Sequence, residues 1–186
     1  MPPVPRFPLF ARLLHWLMAA MILTMLFIGI FMVTSVGPAY QRLVDIHRPL
    51  GICILLLAVI RLLNRFMMRA PSLPDTLPLP LQRIAHASHI VLYTLMIGMP
   101  LIGWAMLSAG DYPVTMWNGI ALPPILPHDP VLFAFLRGLH TWLAFALFAT
   151  ILAHLSAALL HGLILRDGVW QTMALRWNPA KRRDAG

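Results

Sequence analysis

The sequence predicts an all-α membrane protein, a four-helix transmembrane bundle forming a single domain. Three observations predict it. Of 186 residues, 60% are hydrophobic and only 11% are charged, whereas a soluble domain carries about 25% charged residues. Four apolar segments each reach the roughly 20 residues a helix needs to cross hydrocarbon. Basic residues are divided very unequally between the connections that those segments define. Lipid offers open backbone no hydrogen-bond partner, so every span is expected to be helical.

The first span covers about Phe10–Val36 and the second about Leu43–Leu63. The third, about Ile84–Ser108, contains Pro100 and is expected to kink there. The fourth covers about Phe133–Leu165. Proline-rich connections, "RAPSLPDTLPLPLQR" and "DYPVTMWNGIALPPILPHDP", flank the third span. No internal repeat is visible. The start, "MPPVPRFPLFARLLHW", lacks the ordered regions of a cleaved signal peptide, so the first span itself is expected to direct insertion.

Orientation follows from Arg and Lys. With the N-terminus inside, Arg6, Arg12, Arg61, Arg65, Arg69, Arg83, Arg166, Arg176, Lys181, Arg182 and Arg183 fall on the inner side. Only Arg42, Arg48 and Arg137 fall outside. Both termini are therefore expected in the cytoplasm of a bacterial inner-membrane protein. Arg61, near a span end, is expected to snorkel to the inner surface. The net charge of +8 needs no nucleic acid partner, because the positive-inside bias accounts for it. Attraction to anionic membrane lipid accounts for the basic tail "RWNPAKRRDAG". The single cysteine, Cys53, lies in an apolar run and can form neither an internal disulfide nor a thiolate metal site.

Ionisable residues inside spans are functional candidates by default. Sorted by depth, His15 and His154 lie toward the inner face, and His47 and His140 toward the outer face. His140 and His154 are fourteen residues apart, close to four helical turns, so they share a face and stand roughly 21 Å apart along the axis. Facing helices of a bundle build cofactor sites in this manner. Zinc normally asks for four ligands, which neither level obviously supplies. The chain has no Glu, which excludes a di-iron carboxylate centre. A porphyrin brings four nitrogens of its own and asks only for axial ligands, for which His is standard. No C-x-x-C-H occurs, so the haem expected is b-type.

Four stretches carry a family resemblance: "LLHW" (Leu13–Trp16), "DIHRPLGICILLLAVIRLLNR" (Asp45–Arg65), "AHASHIVLYTLMIGMPLIGW" (Ala85–Trp104) and "LHTWLAFALFATILAHLSAALLH" (Leu139–His161). In this order, from about Phe7 to about Arg176, the chain resembles the bacterial cytochrome b-561 family of four-span, dihaem, quinone-linked proteins. One branch of that family is superoxide oxidase. The resemblance implies two haem b, with His15 and His154 as ligands of the inner haem and His47 and His140 of the outer. It also implies a ubiquinone-site role for His161, seven residues beyond His154; the plainer reading is an interfacial histidine. His86 and His89 are expected at the edge of the inner haem or near quinone, and His128 in solvent.

Arg42, Arg48 and Arg137 gather around the outer histidines. They pair with haem propionates and anchor the interface, or they form a cationic mouth that attracts an anionic reductant such as superoxide. Trp16, Trp104, Trp142 and Trp170 read as interfacial anchors. Twelve Met suit packing around large rings. The function these features imply is electron transfer from superoxide, or another periplasmic donor, to ubiquinone. One alternative is a membrane-anchor cytochrome serving a redox partner subunit of hydrogenase or formate dehydrogenase type; another is a non-redox metal-binding bundle. A homodimer is left open.

Overall fold

The computed structural model describes residues 6–68, 78–117 and 119–175. Arg69 and the basic tail from Arg176 onward, with most of the connection before the third span, lie outside the described residues. Helix α1 spans Leu9–Thr34, α2 Gly37–Met67, α3 Leu79–Ala109 and α4 Pro130–Leu159. The last continues as a π-helical segment, Leu160–Leu165, before a short helix α5, Val169–Met173. A two-stranded antiparallel hairpin, β1 (Val114–Thr115) and β2 (Ala121–Leu122), joins α3 to α4. All four long helices are long and apolar enough to cross a membrane.

The helices outrun the apolar spans read from sequence, most at α2 and α3. Hydropathy marks only the part that suits hydrocarbon, whereas the helix continues through polar turns such as Gln41–Asp45, whose side chains hydrogen-bond at 3.1 Å. Capping chemistry sets the starts. Prolines occupy the first turn of α2, α3 and α4, where their missing N–H costs nothing. Asp129 caps α4, accepting from Val131 N at 2.9 Å and Leu132 N at 3.0 Å. Both α2 and α3 run on as helices through internal prolines, Pro49 and Pro100.

Close packing joins α1 to α2, α2 to α3 and α3 to α4. Leu14, Met18 and Ile22 recur every fourth residue of α1 and meet Ile54 and Ala58 of α2 in a buried cluster. Met21, Met25, Met96 and Ile151 are among the half-buried side chains packed against it. By position along the helices this apolar plug lies between the inner and outer histidines. Most other large apolar side chains point outward, as lipid-facing surface requires. Val114 of the hairpin is buried. Ser108 and Trp104 of α3 hold the rest of the connection: Ser108 Oγ accepts from Ile125 N at 3.1 Å, and Trp104 Nε1 donates to Pro123 O at 3.0 Å.

Candidate functional site

His47 on α2 faces His140 on α4, with ring centroids 6.2 Å apart. His15 on α1 faces His154 on α4 at 6.3 Å. Each pair bridges two helices that share at most slight backbone contact among the described residues, so the rings reach across the wider gaps of the bundle. An imidazole bound through nitrogen at about 2.0 Å puts its centroid about 3.1 Å from the metal, so two axial imidazoles stand about 6.3 Å apart. Both pairs have that separation. Among the described residues no group of three or more His, Cys, Asp or Glu could hold a metal ion. A metal at either level would have to bring its other ligands with it, as a porphyrin does.

The outer pair lies in a cleft lined also by Arg48, Gly51, Gly103 and Trp104. A Cβ at Gly103 would stand 3.3 Å from His140 Cε1, so a side chain there presses on the ring. Arg48 is tied to the connection by a hydrogen bond from Nη1 to Pro113 O at 3.3 Å, while its buried Nε has no partner, and neither does Nδ1 of His47. The unpaired buried N–H of Arg48 suits an anionic group in the cleft. Arg42 and Arg137 are exposed. They sit within two turns of the outer histidines on α2 and α4, but only Arg48 lines the cleft.

The inner level draws on all four long helices. Beside His15 and His154 stand His89 of α3, whose ring is 5.6 Å from that of His154, and Arg61 of α2. His89 Nδ1 is engaged with Ala85 O at 2.7 Å. His15, not His89, stands at the coordination spacing from His154. Arg61, expected to snorkel to the inner surface, is half-buried. It donates from Nη1 to Ala11 O at 3.2 Å, hydrogen-bonds Tyr93, and lies within electrostatic reach of His15 and His154. A guanidinium drawn into a bundle needs such partners. The sequence carried a signal for this position: Arg61 follows His47 by fourteen residues, the interval that separates His140 from His154. His86 is exposed, beside Arg83 and Gln82 on α3, and His128 is exposed in the connection before α4.

His161 lies in the π-helical segment, so the regular two-turn extrapolation from His154 does not hold to its end. Its Nδ1 meets Asp167 Oδ2 at 2.5 Å. Three tryptophans read as lipid anchors also tie protein segments together. Trp16 donates to Met173 O at 3.0 Å and packs edge-on against Trp170, and Trp104 bonds to Pro123. Trp142 is 74% exposed, as an anchor would be.

A spanning bundle with histidines paired at two depths belongs to the class of membrane electron-transfer proteins that hold haem between helices. A profile of the family described as prokaryotic cytochrome b561 matches residues 6–175, and the chain belongs to that family. It is therefore a multi-pass membrane cytochrome of b type with a redox role. It is 28% identical over 171 residues to cytochrome b561 homolog 2 of Escherichia coli K12, covering 90% of each chain. It is 36% identical over 144 residues to the probable superoxide oxidase CybB of Yersinia pestis, covering 74% of this chain and 75% of the relative.

Proposed function

We propose that the protein is a dihaem cytochrome of the bacterial inner membrane, with cytoplasmic termini, that oxidises superoxide at its periplasmic end and reduces ubiquinone at its cytoplasmic end. The observation that carries this reading is the pair of histidine couples, 6.2 and 6.3 Å between ring centroids, at two depths of one bundle. His47 with His140 and His15 with His154 are the residues that would hold the two haems. Bound there, the haems supply one-electron chemistry at both ends of the bundle.

The chain's own residues do the rest. The Met-rich plug around Met18 keeps water out of the space between the two levels. Arg48 offers an unpaired N–H to an anion in the outer cleft, and Arg42 and Arg137 add positive potential that draws superoxide in. At the other end His161 presents a ring nitrogen to a quinone oxygen. Two superoxide ions leave as two dioxygen molecules, while one ubiquinone gains two electrons and two protons.

Pyridine haemochrome analysis of the purified protein is expected to give two haems per chain. A pulse of superoxide is expected to reduce the haem band, with quinol appearing only when a ubiquinone analogue is present. Failure of superoxide to reduce the haem refutes the donor assignment and leaves the cytochrome in place.

A further inference from the structure

The one contact at salt-bridge distance among the described residues joins His161 to Asp167, and both side chains are largely buried, 17% and 18% exposed. Several local features converge on that contact. The helix widens to π over Leu160–Leu165, then the backbone turns left-handed at Arg166 (φ 51°) and again at Gly168 (φ 91°). A left-handed Arg is costly, whereas Gly accepts that conformation freely. The left-handed turn at Arg166 swings Asp167 back over the last turn of the helix, and the one at Gly168 redirects the chain after it. Asp167 Oδ1 accepts from Val169 N at 3.2 Å, leaving Oδ2 for His161. Trp170 closes over Gly162, where a Cβ would meet the indole at 3.2 Å.

We propose that Asp167 is a positioning residue for quinone reduction. It holds His161 by Nδ1, so that Nε2 faces the quinone and the ring returns to one tautomer after each proton it gives. The inference rests on the reading of a ubiquinone site at His161. Protonated His161 passes its Nε2 proton to a quinone oxygen and keeps the Nδ1 proton, which the carboxylate holds. Water at the cytoplasmic face then restores the Nε2 proton. Each quinone takes two electrons, which come from the outer donor, and two protons, so the ring cycles twice per quinol.

Asp167→Asn separates holding from proton transfer. The amide oxygen still serves Val169 N–H, but an NH₂ now faces Nδ1, which must accept. The neutral ring then carries its proton on Nε2 and can hydrogen-bond a quinone without being able to release that proton. With general acid catalysis worth about 10²–10⁴-fold, kcat for quinone reduction is expected to fall at least about tenfold, with KM within about twofold. Haem content and donor-driven haem reduction without quinone are expected to stay at the parent level. Nitrogen-15 spectra of labelled histidine, assigned with His161→Gln, are expected to move His161 from the Nδ1–H to the Nε2–H pattern. An unchanged kcat in Asp167→Asn, with His161→Gln slowed, overturns the role of Asp167 alone. Unchanged quinone kinetics in His161→Gln remove the quinone site and this proposal with it. A kcat loss matched by loss of haem marks a structural role and also overturns it.

Discussion

Substituting Gly103 tests the outer site from a residue that ligates nothing. A Cβ there would stand 3.3 Å from His140 Cε1 and 3.6 Å from its Nδ1. Carbon atoms pack best at about 3.5–4.0 Å, so Gly103→Ala asks the ring to yield by a few tenths of an ångström. Gly103→Leu drives three further carbons into the same space. Helix propensity acts in the opposite direction, since Ala and Leu in mid-helix are favoured over Gly by up to about 1 kcal/mol. A loss of haem therefore reports on the cleft rather than on the helix. Gly103→Leu is expected to bind one haem where the parent binds two, and Gly103→Ala to keep two with an altered outer potential. The inner haem is expected to be unaffected, because its ligand on α4 lies roughly 21 Å away along the axis. Pyridine haemochrome gives the stoichiometry and a redox titration resolves the two components. Two haems with parental potentials in Gly103→Leu would refute the placement of a ring against His140.

His15→Ala is expected to lose the inner haem while His89→Ala keeps two, because His15 alone stands at the axial spacing from His154; haem content per chain decides it. Arg137→Gln is expected to slow superoxide consumption with a weaker dependence on ionic strength and unchanged haem spectra, and an unchanged rate would remove the cationic mouth. Asp129→Ala strips two N–H groups of their cap and is expected to cost about 1 kcal/mol. That loss would be measured as a lower melting temperature in detergent, with haem content intact.

What the sequence disclosed and what it hid have physical causes. The spans were legible because hydrocarbon allows one backbone solution and demands apolar length. That the rings of His47 and His140, and of His15 and His154, approach each other was legible from their depths along the spans, with fourteen residues returning α4 to nearly the same face. Arg61 obeys the same interval, which places it on the face of α2 that carries His47. The hairpin was hidden because strands as short as Val114–Thr115 show no alternation, and α5 because five residues show no helical period. Asp167 was hidden most thoroughly. Six residues of regular helix would carry it about 240° around from His161, and only the π-helical turn and the left-handed Arg166 bring it back.

The contacts between the two ends of the chain have a consequence for assembly. Phe7 N, Arg12 Nη1 and Trp16 Nε1 donate to the carbonyls of Thr172, Ala174 and Met173. The start of α1 thus takes its partners from residues made much later, 157 positions on for Trp16 and 162 for Arg12. During synthesis, which proceeds at about 5–20 residues per second, this end of the bundle stays unlatched until α5 has been made. That interval leaves the space beside His15 open while the four long helices come together, and the latch closes only when α5 arrives.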